Sequence, residues 1–267
     1  MRWYRTPRAI QRGVLILFGG FILAPLIWVV LRSFENPVPY KAENIFMFLY
    51  RYLSPGQYTD VLFHNLEYWI SYWNTLLLTV PTLLLAMFLV SLAAYGLTIM
   101  GDKAQNRILS GYAVLALLPM QMLLVPQLIA LSNMHLKGSR LAVILIGSFT
   151  PWYLFFLHRL CRRVPDSVFE MARIEGAGEW TIFRRIALPQ MRMGLLVFEI
   201  IVSADLWGMV EEPLVYIQDI TKYPLSVLFA EAEEGLSYAG AVLFSLPVVV
   251  LFLSGIRGVM EKEGIQG

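Results

Sequence analysis

The sequence predicts an all-α polytopic membrane protein, and three observations carry that prediction. Of 267 residues, 58% are hydrophobic and 15% charged, a balance too apolar for an ordinary soluble domain of this length. The apolar residues gather into runs of about 20, the length at which a helix rising ~1.5 Å per residue crosses a ~30 Å hydrocarbon core. Proline falls inside several of these runs, at Pro81, Pro119, Pro126, Pro151 and Pro247, which membrane helices tolerate where neighbours satisfy the freed carbonyls.

Six spans follow in order. Arg2, Arg5, Arg8 and Arg12 lead into the first, Gly13 to Leu31. That run is longer than a signal-peptide core and passes into Arg32-Ser33-Phe34-Glu35 with no small-x-small cleavage site, so it is expected to remain as an anchor. Residues 33–73 read as a loop ending in Tyr68, Trp69, Tyr72 and Trp73, whose rings suit a headgroup belt. The second span is placed at 74–98, the third at 108–131, the fourth at 141–160, the fifth at Met193 to Pro213 and the sixth at 239–256. Residues 13–260 form one transmembrane domain with its core at 70–257, flanked by short ends, 1–12 and 261–267.

Charge sets the orientation. With the N-terminus inside, the inner segments hold fifteen Lys and Arg, seven of them between Arg159 and Arg192; the outer loops hold five, namely Lys41, Arg51, Lys137, Arg140 and Lys222. Both termini and the 165–189 stretch are therefore predicted to be cytoplasmic. The net charge of +2 is too small to imply nucleic acid. A single cysteine, Cys161, excludes an internal disulfide framework, and His64, His135 and His158 are scattered, so no metal centre is expected. There is no G-x-x-x-x-G-K-[ST] loop to cradle phosphates and no nucleophile–base pair to assemble, so neither a cofactor nor catalysis is expected in this chain.

The stretch from Pro165 to Pro189 interrupts the apolar pattern. Ser167-Val168-Phe169-Glu170 fits a capping box. A helix from Ser167 to Ile174 or Glu175 is expected to stop at Gly176, and a second to run from Glu179 to Ala187 before Pro189 ends it. Val168, Met171 and Ala172 share a face of the first half; Phe183, Ile186 and Ala187 share one of the second. Such a charged helix–turn–helix suits either a docking knob or an amphipathic loop on lipid headgroups.

The residue identities bear on that choice. Glu170-Met171-Ala172, three residues, Gly176, nine residues, then Ile186-Ala187-Leu188-Pro189 resembles the EAA loop of ABC importer permeases. Trp73-Asn74-Thr75-Leu76, Ala93-Ala94-Tyr95-Gly96-Leu97, Pro151-Trp152 with Arg159, Glu175-Gly176-Ala177, and Trp207 with Pro213-Leu214 and Tyr223-Pro224-Leu225 resemble the carbohydrate-uptake branch, of the maltose-transporter second-permease type. The resemblance covers about residues 70–235. It departs at Met171, which replaces the first alanine, at Gly208, where asparagine is usual, and at Glu211-Glu212, whose role stays open.

The resemblance implies a six-span permease of a bacterial or archaeal inner membrane whose EAA loop, between the fourth and fifth spans, docks as a coupling helix on a cytoplasmic ATPase dimer. ATP and magnesium would be bound by that partner. A second permease subunit and an extracytoplasmic sugar-binding protein complete the implied assembly. The implied docking set is Glu170, Met171, Ala172, Arg173, Ile174, Gly176, Ala177, Gly178, Ile186, Leu188 and Pro189. Glu170 reads either as a salt-bridge partner for the ATPase or as the capping-box acid, and Gly176 and Gly178 as the bend. Arg173, Arg184 and Arg185 read as partners of acidic residues or of lipid phosphates.

In the fifth span, Glu199 and Asp205 sit at depth, where a carboxylate costs ~2.5–3.5 kcal/mol and so should face protein or a water-filled path. With Ser203, Trp207 and, from the third span, Gln121, they are candidates for the translocation path, against buried pairing with a neighbouring helix; Gln127 is ambiguous in the same way. The rival functional class is an ion-coupled secondary transporter or channel in which Glu199 and Asp205 carry protons or cations.

Overall fold

A computed structural model describes residues 8–36, 53–231 and 237–262. Of the cytoplasmic ends expected at 1–12 and 261–267, residues 1–7 and 263–267 lie outside the described residues, as do Lys41 and Arg51 of the first outer loop. The chain is almost entirely helical: α1 Arg8–Ser33, α2 Leu66–Thr98, α3 Asp102–Leu117, α4 Met120–Asn133, α5 Arg140–Gly147, α6 Pro151–Cys161, α7 Asp166–Ile174, α8 Glu179–Trp207, α9 Glu211–Tyr216, α10 Leu225–Glu231 and α11 Tyr238–Lys262. Among the described residues, four helices, α1, α2, α8 and α11, are long and apolar enough to cross a membrane, and the bent pairs α3–α4 and α5–α6 raise the number to six if each pair is one span.

The proline positions explain where spans break and where they persist. Pro119 caps α4 with extended backbone at Leu118, and α3 and α4 meet at 108°, so the third span is not a single rod. Pro151 starts α6 at a 45° bend from α5. A ring without an N–H suits the first turn of a helix and costs nothing there. Pro81 and Pro247 stay inside continuous helices. Two expected boundaries shift. The second span begins at Leu66, so Tyr68, Trp69, Tyr72 and Trp73 lie on its first turns rather than in a loop. The fifth ends at Trp207, with Gly208 as its cap and Pro213 in the separate helix α9.

The chain divides into two compact units, residues 1–69 with 232–246 and residues 70–231 with 247–267. In the first, the segment before α2 is tied to the end of α1: the Gln57 amide donates to the Arg32 carbonyl at 2.9 Å and the Glu35 carbonyl at 2.6 Å, and Ser33 and Tyr58 hydroxyls pair at 2.7 Å. The Tyr68 hydroxyl donates to the Gly240 carbonyl at 3.0 Å. Among the described residues, nothing buries the apolar window of α1 within Arg12–Ser33.

The core of the second unit is made by Leu78, Ala86, Leu157, Met191 and Phe198 from α2, α6 and α8. Helices α6 and α8 approach closely at Gly194, where an added Cβ would collide with Leu160 Cδ1 and meet Leu157 Cδ2 at 2.8 Å. Most buried polar groups in this core are hydrogen-bonded, with Gln105 Oε1, Arg140 Nε and Thr150 Oγ1 the exceptions among the described residues. Asn74 donates to the carbonyls of Thr221 (2.8 Å) and Tyr223 (3.0 Å) and accepts from Arg140, while Leu225 N–H donates to Thr75 Oγ1 at 2.9 Å. The Trp-Asn-Thr-Leu segment thus clasps the loop before α10. In that loop the Thr221 hydroxyl and the Lys222 ammonium hold the Asp219 carboxyl down to about 2.

Candidate functional site

The segment between α6 and α8 folds as the helix–turn–helix its glycines suggest, with a different start. Helix α7 begins at Asp166 after Pro165, one residue ahead of Ser167, and has no side-chain cap bond. The capping box of Ser167 and Glu170 is therefore not formed, since Ser167 lies inside the first turn. Glu170 is exposed and makes no ion pair among the described residues. At the other end Gly176 has φ +82°, its N–H donates to the Arg173 carbonyl at 3.0 Å, and Ala177 N–H donates to the Ala172 carbonyl at 2.9 Å. This pair of bonds is the Schellman motif, in which the left-handed residue closes the last orphan carbonyls. Gly178 has φ −71° and simply precedes α8, so Gly176 alone requires the freedom of glycine.

Helix α8 does not end at Pro189. Residues Phe183–Ala187 widen into a π-turn, Leu188 N–H bonds to the Phe183 carbonyl, and Pro189 follows at the start of the regular α-helix. The wider turn displaces the carbonyl that would clash with the ring, so the helix passes through the proline.

The outer surface of the turn is uneven. Met171 is 60% and Ile174 85% exposed, apolar side chains standing out beside exposed Glu170, Arg173, Gly176, Gly178 and Pro189. Ala172, Ala177, Ile186 and Leu188 are half-buried and pack on the core. What anchors the knob is Tyr95, near the end of α2 and 3% exposed. Its ring lies against Phe169 of α7 at 6.0 Å and Phe183 of α8 at 5.7 Å, and its hydroxyl donates to the Glu179 carboxylate. Arg173 reaches the same carboxylate at 2.7 Å, and that hydrogen bond pushes the guanidinium pKa above its usual value. One tyrosine and one ion pair therefore link α2, α7 and α8. Tyr95, Phe169 and Glu179 were missing from the set read in the sequence; the Ala-Ala-Tyr-Gly-Leu segment carried the signal for Tyr95 without its partners.

The candidates in the spans are not brought together. Ser203 is buried and donates to the Ile200 carbonyl of its own helix at 3.0 Å. Trp207 is buried with its ring edge-on to Tyr72 at 5.8 Å. Gln121 donates to Glu211 Oε2 at 3.3 Å, and Gln127 accepts from the Tyr216 hydroxyl at 2.6 Å. Burial, with the charge of Glu211 beside it, raises the carboxyl pKa of Glu212. Glu199 lines a lateral groove between α2 and α8, whereas Asp205 is exposed. Six residues apart on a helix, those two carboxylates point about 120° apart.

Residues 64–258 match the family described as binding-protein-dependent transport system inner membrane component. The chain is 28% identical over 268 residues to the diacetylchitobiose uptake system permease protein NgcG of Streptomyces coelicolor, covering 91% of this chain and 83% of that protein. It is 26% identical to the arabinooligosaccharides transport system permease protein AraQ of Halalkalibacterium halodurans, with 88% of each covered. Its fold matches a chain of the crystal structure of a bacterial ABC transporter involved in the import of the acidic polysaccharide alginate, with a TM-score of 0.77, 18% identity, and 96% of this chain and 99% of that chain covered.

Proposed function

This chain belongs to the binding-protein-dependent transport system inner membrane component family, and from that membership we propose that it is one permease subunit of an ATP-driven carbohydrate importer. It carries no catalytic role; it is a multi-pass membrane component. In this reading each bent pair is a single span, the six spans put both termini and the α7 turn in the cytoplasm, and the turn is a coupling helix. The excess of fifteen inner over five outer cations supports that orientation. A second permease, an extracytoplasmic sugar-binding protein and an ATPase dimer holding ATP and magnesium complete the machine. Carbohydrate as cargo rests on the uptake relatives.

The observation that carries the proposal is the build of the turn. A knob closed by Gly176, presenting Met171, Ile174 and Glu170 outward and joined through Tyr95 to α2, can pass a push from a docked protein to a membrane helix. A loop lying on headgroups would need no such joint. Glu170→Lys tests it, because a reversed charge at the docking face opposes a basic partner while leaving the buried contacts alone. Insertion should persist, co-purification of the ATPase should fall by roughly tenfold or more, and ATP-dependent sugar uptake should drop to background. Normal uptake in that variant would sink the docking role.

Asp205 extends the reading to the path. Uncovered on α8 within the span, it needs water or a partner subunit against it, because lipid contact is costly. We place it toward the translocation path, with Glu199, Ser203, Trp207 and Gln121 arranged around or behind it. Asp205→Asn should slow uptake several-fold with ATPase association intact; loss of assembly would assign it to a subunit contact. The divergent directions of Glu199 and Asp205 disfavour an ion relay through both.

A further inference from the structure

A groove of about 730 Å³ runs along the flank of α8 against α2. Its lining changes character from one end to the other. Trp180 and Arg184 stand near the start of α8 and Arg192 about 12 Å further along it; Phe88, Leu195 and Leu196 line the length beyond, and Glu199 marks the far limit, about 10 Å along the helix from Arg192. Both arginines are exposed, and among the described residues neither forms an ion pair. Of the other cations nearby, Arg173 is already committed to Glu179 and Arg185 does not line the groove. Trp180 is 57% exposed and leans on Phe183 with ring centroids 5.4 Å apart.

These features define the chemistry of an occupant. Two guanidinium groups free of ion pairs, on long side chains that can reach toward each other from Arg184 and Arg192, call for an anion with several oxygens, and a phosphate meets a guanidinium fork with paired hydrogen bonds. Apolar walls beyond them call for hydrocarbon. A tryptophan at the charged end is the ring type that sits at headgroup level. A sugar fits poorly, because the walls offer few hydrogen-bonding groups. A helix from another subunit would need a carboxylate at one place on its surface, whereas the bilayer supplies phosphate and chain together.

We propose that this groove is a site for an anionic phospholipid, its phosphate between Arg184 and Arg192, its headgroup beside Trp180 and one acyl chain along Phe88, Leu195 and Leu196. The lipid covers a flank of α8 next to the π-turn, and so braces the joint through which the coupling turn meets the span. The site rests on α8 being a membrane helix and not on the cargo, the ATPase or the direction of transport.

The test uses the assembled transporter in mild detergent, carrying the full chain. The complex is incubated with phosphatidylglycerol bearing a photoreactive acyl tail, irradiated and digested. Labelling should map to the peptide with Leu195 and Leu196 and should be competed by unlabelled phosphatidylglycerol, not by phosphatidylcholine. Arg184→Gln with Arg192→Gln should weaken binding roughly ten- to thirty-fold, from the two surface cations removed. Lys103→Gln with Arg107→Gln, which removes the same charge from α3, should leave labelling unchanged. Leu196→Trp, which fills the groove and keeps both cations, should abolish labelling. Equal competition by phosphatidylcholine, displacement by inorganic phosphate alone, cross-linking of the groove to another subunit, or full labelling of the double arginine variant would each overturn the proposal. Uptake is not measured, so failure here is separate from failure of the transport reading.

Discussion

If the α7 turn is the coupling helix proposed, Gly176→Pro should abolish ATP-driven uptake while the chain still inserts in the membrane and assembles with the proposed second permease. The backbone at Gly176 has φ +82°, and proline holds φ near −65° and has no N–H. The variant therefore loses both the left-handed turn and the bond to the Arg173 carbonyl, and the ring also disfavours the backbone of Glu175, which sits at φ −74°, ψ 2°. Nothing lies within 4 Å of a Cβ added at Gly176, so bulk is not the issue. That separation makes a graded series informative. Gly176→Ala keeps the hydrogen bond and bears about 1–2 kcal/mol of left-handed strain; Gly176→Asn, a residue that visits this region more readily, bears less. Uptake should rank glycine, asparagine, alanine, proline, with proline at background and ATPase co-purification falling in step. Wild-type uptake in the proline variant would show that this turn does not transmit the ATPase stroke.

The bounds of that turn were legible in the sequence because they depend on local chemistry. A glycine that can take a left-handed backbone just after a helix's last turn is a local stop signal, and runs of twenty apolar residues have few soluble alternatives. Where two local rules compete, the sequence leaves the result open. Ser167 and Glu170 satisfy a capping pattern, yet Pro165 already supplies the extended residue from which α7 starts, and the box is never used. Pro189 has the look of a terminator, but a proline is equally at home in a first turn, and the π-turn before it lets α8 continue. The 108° break at Pro119 is a matter of degree that no spacing encodes. Least legible are the contacts that make the site a unit, since Tyr95 meets Phe169, Glu179 and Phe183 across more than seventy residues of chain, and only packing brings them together.

That packing makes Tyr95→Ala the second decisive variant. Removing a buried aromatic side chain costs ~3–5 kcal/mol when the site cannot collapse, and the ring here fills the space between Phe169 and Phe183. The thermal midpoint of the solubilised complex should fall by several degrees. The hydroxyl contributes less: Tyr95→Phe loses a hydrogen bond to Glu179, but that carboxylate is 51% exposed and keeps its pairing with Arg173, so solvent screening holds the loss to within about 1 kcal/mol. Tyr95→Phe should therefore transport nearly normally. In Tyr95→Ala, α7 keeps its cap and its outward face, so under the proposed docking role the ATPase should still dock and hydrolyse ATP, but its stroke would have lost the ring that joins the turn to α2. The quantity to measure is sugar moved per ATP hydrolysed in proteoliposomes, because a merely destabilised transporter loses both activities together and keeps their ratio. A ratio lowered several-fold at a temperature well below the new midpoint identifies Tyr95 as the joint. An unchanged ratio in a complex with a lower midpoint would make it a packing residue only, and the force would have to enter the spans by another contact.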